Sequence, residues 1–185
     1  MRPWSIKLAL LAVVAVGMSW SIVEYRRWRR FVVVKPGVLY RSNLLANNDL
    51  AEMLSRNGIK TVFSLSFTRT DEVQAVCDRL GVKRYFHYLP GNGAGPDEPY
   101  LRFLEVMQDP ANHPVLVHCS AGVQRTGGAV CLFRVIEQGW TLERALAEMK
   151  WRGNDGNPLQ NDQLTKLVDR LQLTPQLAAG EAMRR

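Results

Sequence analysis

The chain has 185 residues, 46% of them hydrophobic and 22% charged, which suits one folded domain and excludes an intrinsically disordered chain. The formal net charge is +7, but residues 1–30 carry +5 of it and the remaining 155 residues only +2. Because the basic excess belongs to the N-terminus, we expect no nucleic-acid partner for the domain.

The cysteines and histidines argue against two further classes of protein, those stabilised by disulfides and those that bind a metal. The three cysteines are an odd number without a CxxC pair, and a chain of this length does not need disulfides to fold. The three histidines lack the spacing of metal ligands. We therefore expect neither a disulfide framework nor a metal site.

The N-terminal segment is predicted to be a membrane anchor with a basic flank, over residues 1–30. Residues 8–23 are sixteen residues without a charge. Including Ile6 and Lys7 extends the predominantly apolar stretch to eighteen residues. A spanning helix needs about 20 apolar residues, with about 17 as the lower limit, so residues 6–23 are long enough to cross a membrane. Two alternatives stay open: a cleaved signal peptide, for which Ala15-Val16-Gly17 offers a site, and a buried core helix.

The charges around the anchor predict which side of the membrane holds the domain. Four arginines follow the apolar run, whereas Arg2, Lys7 and the amino group precede it. The positive-inside rule therefore favours, by a narrow margin, a cytoplasmic domain on a single-pass N-terminal anchor.

Beyond the anchor, short β-branched runs alternate with segments that have the helical spacing of apolar residues. Strands are predicted at residues 31–34, 38–40, 59–66, 82–90 and 114–118. Helices are predicted at residues 48–57, 70–81, 100–108, 126–138, 141–151 and 160–172. This alternation predicts an α/β fold with a central, mainly parallel sheet flanked by helices. We expect the domain to cover residues 31–173, with a flexible tail at residues 174–185.

One segment, "VLVHCSAGVQRTG" at residues 115–127, combines a strand end, a loop and a helix start. Such a loop turns its backbone N–H groups inward beside the positive end of the helix, which makes an anion site. Gly122 permits the tight turn, and Arg125 offers a planar fork for two phosphate oxygens. These surroundings lower a thiol pKa from about 8.5 to roughly 3.5–7.5, so Cys119 is expected to be a thiolate nucleophile. The pattern predicts a phosphoryl-transfer site.

The stretch "HCSAGVQRTG" fits the His-Cys-x5-Arg-Thr/Ser signature, and the sequence resembles the cysteine-dependent protein tyrosine phosphatase superfamily. Within it, the chain is similar to the dual-specificity branch, in particular its small atypical members from plants, fungi and bacteria. The motifs "GVLYRS", "GIKTVFSL" and "NHPVLVHC" follow that group in order and spacing. The resemblance covers roughly residues 32–152.

The resemblance implies a role for each residue of the motif. Cys119 would attack phosphorus to give a phosphocysteine, and Arg125 would bind the phosphoryl oxygens. Thr126 would place its hydroxyl near the sulfur, and His118 would orient the loop by hydrogen bonding. The backbone N–H groups that bind phosphate would come from Ser120, Ala121, Gly122, Val123 and Gln124. No metal or other cofactor is implied.

The general acid departs from the family pattern. Members of the family often carry an Asp some thirty residues before the cysteine, whereas Asp97 lies 22 residues before Cys119. Asp97 is the candidate acid and Glu98 a second one; alternatively, Asp97 caps the helix that begins near Glu98. The "SAGVQ" loop also lacks the basic residues of polyphosphate-hydrolysing members, which speaks against inositol pyrophosphates.

These observations predict a membrane-anchored phosphatase that acts on phosphotyrosine or phosphoserine/threonine proteins. A lipid or inositol phosphate phosphatase is the alternative. A rhodanese-like sulfurtransferase is disfavoured by Arg125 followed by Thr126, and an inactive phosphate-binding module by the intact Cys119. We expect Cys77 and Cys131 to be buried and inert, and Arg41 to pair with an acidic residue.

Overall fold

The computed structural model describes residues 13–14 and 30–182, with side chains of the last helix described up to residue 172. Within residues 30–182, five strands form one sheet in the order β1-β2-β5-β3-β4. They are β1 Val32–Lys35, β2 Leu39–Asn43, β3 Thr61–Ser64, β4 Lys83–Phe86 and β5 Val115–Cys119. Only β1 runs antiparallel to its neighbour; the other pairs are parallel. The predicted α/β fold with a mainly parallel sheet is confirmed.

The helices connect and cover these strands. They are α1 Asn47–Arg56, α2 Thr70–Leu80, α3 Glu98–Gln108, α4 Gln124–Ile136, α5 Leu142–Trp151 and α6 Pro158–Ala182, with a short 3-10 turn at Pro110–Asn112. Capping residues explain two of the helix ends. Helix α2 ends at Gly81, which has a φ of 65°, and α5 begins where the Thr141 side chain accepts a hydrogen bond from the Arg144 N–H.

The last helix is longer than expected. It was predicted to end near residue 172, yet it continues to Ala182. Residues 173–182 include two Leu and three Ala, which are good helix formers, although Pro175 and Gly180 are not. The helix therefore enters the segment for which we predicted a flexible tail at residues 174–185.

The core lies on both faces of the sheet and surrounds its central strand. Every residue of β5 is buried, because β5 pairs with β2 on one side and with β3 on the other. Helix α4 follows β5 and is buried over most of its length. Phe63 packs edge-on against Phe103, with ring centroids 5.4 Å apart. This packing holds the β5–α4 connection, which carries the predicted site, in the centre of the fold.

Among residues 30–182, no helix is both long enough and apolar enough to cross a membrane. The predicted anchor at residues 6–23 lies outside the described residues, apart from Val13 and Val14.

Candidate active site

The loop between β5 and α4 curls tightly around the cysteine sulfur. Strand β5 ends at Cys119, α4 begins at Gln124, and Gly122 between them has a φ of +69°. A Cβ on Gly122 would lie 2.6 Å from the backbone nitrogen of Asn43, so both the conformation and the space require glycine. The Gly122 N–H donates to Cys119 Sγ at 3.2 Å. The predicted inward turn of the loop is therefore present.

The surroundings of Cys119 favour the thiolate. Burial alone would raise the pKa of this thiol, but the hydroxyl and N–H of Thr126, the charge of Arg125 and the Gly122 N–H outweigh burial, so the pKa lies below its ordinary value. The Thr126 hydroxyl is buried and has no hydrogen-bond partner among the described residues, which leaves it available to donate to a negatively charged sulfur. The cysteine thus meets the requirement for a nucleophile.

The Arg125 side chain is 9% exposed and held against the loop. Its Nη1 donates to the carbonyl oxygens of Leu65 and Leu89, at 3.4 Å each, and its Nη2 donates to Ser120 Oγ at 3.2 Å. Its Nε is buried without a hydrogen-bond partner among the described residues. Since a buried donor without a partner is costly, this atom is suited to an anionic ligand.

A cluster of hydroxyl groups fixes one wall of the loop. Ser120 Oγ shares hydrogen bonds with Ser66 Oγ at 2.7 Å and with Thr68 Oγ1 at 3.0 Å. Both partners follow β3 and were not predicted as site residues. The carboxyl ends of neighbouring parallel strands meet at the same edge of a sheet, which places the segment after β3 near the loop but does not distinguish these two hydroxyls from others.

His118 lies on the same face of the sheet as Ser64, its register partner on β3. Its Nε2 shares a 2.8 Å hydrogen bond with Ser64 Oγ on β3, and Arg84 Nε also donates to that oxygen. Burial, reinforced by the positive charge of Arg84, lowers the pKa of His118 to about 4. The ring is therefore neutral at pH 7 and links β5 to β3.

Arg41 contacts the backbone of the β5–α4 loop. It is 3% exposed, and its Nη2 donates to the carbonyl oxygen of Gly122 at 2.9 Å. Burial raises the pKa of Glu148, but the hydrogen bond and charge of Arg134, with smaller contributions from Arg152 and Arg41, bring it below its ordinary value. Arg41 was expected to pair with an acidic residue, and its contact with the β5–α4 loop was not predicted.

A buried amide network supports the start of α4. Gln160 Nε2 donates to the Gln124 carbonyl at 2.9 Å and to the Tyr100 hydroxyl at 3.0 Å. The Tyr100 hydroxyl donates to the Gly93 carbonyl at 2.7 Å. Asn154 Nδ2 donates to Gln160 Oε1 at 3.0 Å and to the Gln124 side chain. The loop at residues 91–97 is thereby connected to the β5–α4 loop.

The carboxylate of Asp97 is bound to helix α6. Oδ1 accepts from Gln163 Nε2 at 2.7 Å, and Oδ2 forms an ion pair with Arg170. Asp97 occupies the N-cap position of α3, but within the described chain its side chain makes no cap hydrogen bond there. Asp97 lines a cleft of about 800 Å³ between the 91–97 loop and α6. Glu98 instead lies 3.1 Å from His87 Nδ1.

The other two cysteines are buried thiols, as expected. Burial raises the pKa of Cys77 to about 11, and burial together with Glu148 raises the pKa of Cys131 to about 12. At neutral pH they stay protonated, in contrast to Cys119.

Residues 39–166 match the family model described as DSP-PTPase phosphatase fused to NAD+ kinase. Among curated proteins, the chain is 35% identical over 121 residues to the dual specificity protein phosphatase TpbA of Pseudomonas aeruginosa, a match covering 64% of this chain and 52% of the relative. It is 42% identical over 69 residues to the inositol diphosphatase DSP3 of Arabidopsis thaliana, which covers 34% and 33%. The matches thus span a third to a half of these relatives' own length.

The fold is similar to that of solved cysteine phosphatase structures. The crystal structure of P. aeruginosa TpbA aligns with a TM-score of 0.64 and 28% identity, covering 78% of this chain and 89% of that one.

Proposed function

Because the chain belongs to the family described as DSP-PTPase phosphatase fused to NAD+ kinase, we propose that it hydrolyses phosphomonoesters of proteins through a phosphocysteine on Cys119. One observation carries this proposal: a thiol with a lowered pKa lies beside a buried guanidinium whose Nε has no partner in the described chain. A thiolate and convergent N–H donors are what phosphoryl transfer to sulfur needs.

In the first step, the Cys119 thiolate attacks phosphorus and the bond from phosphorus to the ester oxygen breaks. Arg125 and the backbone N–H groups of residues 120–124 bind the three non-bridging oxygens and stabilise their charge. The leaving oxygen takes a proton from Asp97, which we propose as the general acid. Asp97 must first release Gln163 and Arg170 to do so.

In the second step, water attacks phosphorus and the sulfur–phosphorus bond breaks. The proton of the water passes to the Asp97 carboxylate, inorganic phosphate leaves, and the thiolate is restored. Thr126 stabilises the returning negative charge on sulfur, since its hydroxyl and N–H already favour the thiolate. His118 stays neutral and positions the strand end that carries Cys119.

The proposal is tested by phosphate release from para-nitrophenyl phosphate in the presence of a chelator. Cys119→Ser should abolish activity, and Arg125→Lys should reduce kcat by about 100-fold or more, because lysine cannot form the planar fork. Cys131→Ser is the matched control, since that thiol is buried and protonated. Activity that survives Cys119→Ser would contradict the mechanism.

Inositol phosphates are a second candidate substrate class. The relative named inositol diphosphatase DSP3 is 42% identical over 69 residues. Residues 120–124, "SAGVQ", contribute no positive charge for additional phosphates. Competition between a phosphopeptide and an inositol diphosphate for the same purified protein distinguishes the two classes by the ratio of their kcat/KM values.

We also propose that residues 6–23 anchor the domain to a membrane, on the strength of the uncharged apolar run at residues 8–23. The full chain should remain in the membrane fraction after alkaline carbonate extraction. Leu11→Arg with Val14→Arg should release it, because charges at the centre of a span oppose insertion. Release of the unaltered chain by carbonate would contradict the anchor.

A further inference from the structure

One buried amide contacts both segments that carry the proposed chemistry. Gln160, in the first turn of α6, is fully buried. Its Nε2 donates one hydrogen bond to the Gln124 carbonyl, at 2.9 Å, and a second to the Tyr100 hydroxyl, at 3.0 Å. Its Oε1 accepts from Asn154 Nδ2 at 3.0 Å. Both N–H groups and the oxygen of this amide are therefore bound inside the protein.

On one side, Gln160 holds the residue that precedes Arg125. The Gln124 carbonyl belongs to the first turn of α4, where this helix leaves the β5–α4 loop. Gly128, one turn further along α4, leaves no room for a side chain. A Cβ on Gly128 would overlap the Tyr100 hydroxyl and would lie 2.8 Å from Gln160 Nε2. The start of α4, with the backbone of Arg125, is thus packed directly against the Gln160 amide and the Tyr100 hydroxyl.

On the other side, Tyr100 holds the loop that carries Asp97. The Tyr100 hydroxyl donates to the Gly93 carbonyl at 2.7 Å. The backbone N–H groups of Tyr100 and Leu101 both donate to the Asp97 carbonyl, at 3.0 Å each. Burial raises the pKa of the Tyr100 hydroxyl, so this group stays protonated and keeps donating at neutral pH. The 91–97 loop is therefore held at Gly93 and again at the backbone of Asp97.

We propose that Gln160 and Tyr100 are positioning residues, which hold the proton donor Asp97 at a fixed place relative to Cys119. The inference rests on the proposed phosphatase function, in which Asp97 protonates the leaving oxygen as the bond from phosphorus to that oxygen breaks. When the Asp97 carboxylate releases α6, its backbone stays bound to the start of α3. Because a misplacement of about 1 Å can cost about 100-fold in rate, a fixed backbone matters for proton transfer.

The amide of Gln160 is suited to this role by its chemistry and by its space. A glutamine side chain donates two hydrogen bonds and accepts others from one planar group, whereas a glutamate only accepts when ionised and a methionine donates none. Gly93 has a φ of +79°, and a Cβ there would overlap the Gln160 amide. In a buried network in which each bond supports the next, the loss of one donor is expected to displace its neighbours.

The experiment compares two phosphate esters that differ in how much the leaving oxygen needs a proton. Phenyl phosphate releases a phenol with a pKa of about 10, whereas 2,4-dinitrophenyl phosphate releases a much more acidic phenol, which leaves without a proton. The ratio of the two kcat/KM values therefore measures general-acid catalysis. A loss of folded protein does not change this ratio, because it lowers both values equally.

Tyr100→Phe removes one hydroxyl and keeps the buried ring. It should lower kcat/KM for phenyl phosphate about 10-fold more than kcat/KM for 2,4-dinitrophenyl phosphate. Gln160→Met should change the ratio in the same direction and should also raise KM for both esters, because it releases the start of α4 as well. Tyr85→Phe is the matched control, since Tyr85 also packs against the core but lies on β4, and it should keep the wild-type ratio.

A double substitution shows whether Tyr100 acts through Asp97. Once Asp97→Asn has removed the acid, adding Tyr100→Phe should change kcat/KM for phenyl phosphate less than about 2-fold. The wild-type ratio in either single variant, or a further loss of about 10-fold in the double variant, would overturn the positioning role and leave the phosphatase function standing. A wild-type protein that releases phosphate from neither ester would contradict the phosphatase function itself, and the positioning role with it.

Discussion

Arg41 on β2 donates a hydrogen bond from Nη2 to the carbonyl oxygen of Gly122, at 2.9 Å, although 81 residues separate them in the chain. A loop whose N–H groups converge on an anion turns carbonyl groups outward, and a buried carbonyl needs a donor. Arg41 supplies that donor. The conformation of the β5–α4 loop therefore depends on a strand far away in the sequence.

Arg41→Ala is expected to weaken both the fold and the activity. A buried hydrogen bond from a charged donor contributes about 1.5–3 kcal/mol, and its loss leaves the Gly122 carbonyl unpaired. Urea unfolding should show a loss of that size, and kcat/KM for para-nitrophenyl phosphate should fall at least about 10-fold as the loop loosens. Lys35→Ala, on the exposed part of β1, is the control. Unchanged kinetics in Arg41→Ala would show that the β5–α4 loop keeps its conformation without the hydrogen bond from Arg41.

Thr126→Val tests the origin of the reactive thiolate. The substitution keeps the shape of the buried side chain and removes the hydroxyl that favours negative charge on sulfur. The pKa of Cys119 should rise, so alkylation by iodoacetamide should begin at higher pH than in the wild type. Thr126→Ser keeps the hydroxyl and should keep the wild-type profile.

Mass spectrometry of the alkylated peptides reports each cysteine separately. Cys77 and Cys131, with pKa values of about 11 and about 12, should stay unmodified at neutral pH in the folded protein. Modification of either one before Cys119 would contradict the electrostatic account of the site.

The centre of the site could be predicted from sequence because its parts are contiguous. Cys119, Arg125 and Thr126 lie within eight residues, on a buried strand, a loop and a helix start that local patterns indicate. The parallel sheet followed from the alternation of strands and helices. Its strand order did not, because pairing depends on contacts between distant segments.

The supporting residues could not be predicted in the same way. Ser66 lies 54 residues from Ser120, and Gln160 lies 36 residues from Gln124, yet each pair shares a hydrogen bond. Serine and glutamine are common polar residues, and nothing local distinguishes these two from surface ones. Asp97 illustrates the same limit: its position suggested a helix cap, whereas its partners lie on α6.

The ion pair of Asp97 with Arg170 is expected to restrain Asp97, the proposed general acid. The Arg170 side chain is 61% exposed, and a surface ion pair of this kind is worth about 0–1 kcal/mol, so it can open at little cost. Arg170→Ala should therefore raise kcat/KM about 2- to 5-fold, measured as phosphate release across pH. The control is Lys166→Ala, which breaks the neighbouring ion pair with Asp162.

Asp97→Asn should remove the high-pH limb of the kcat/KM profile. A general acid acts in its protonated form, so activity falls as rising pH removes that proton. Asparagine donates no proton, and the remaining activity should be low and flat across that range. Asp162→Asn, on the same cleft, is the control. A limb that persists in Asp97→Asn would assign the acid to another group.

The buried ring of His118 should make the fold less stable in mild acid. Its pKa is about 4 in the folded protein, against about 6.5 in an unfolded chain. Between these values the unfolded chain binds a proton that the folded protein does not, so the free energy of unfolding falls as pH falls from 6.5 to 4. The change attributable to this ring is on the order of 3 kcal/mol, at 1.36 kcal/mol per pKa unit.

Urea unfolding of the wild type and His118→Gln at several pH values measures this change. The variant should be less stable at pH 7 and should lose the part of the slope that comes from the ring. Ser64→Ala is the matched control, because it removes the hydrogen-bond partner of His118 and keeps the titrating ring. It should lower stability and retain the wild-type slope. A His118→Gln protein with the same slope as the wild type would show that the ring does not resist protonation in the folded state.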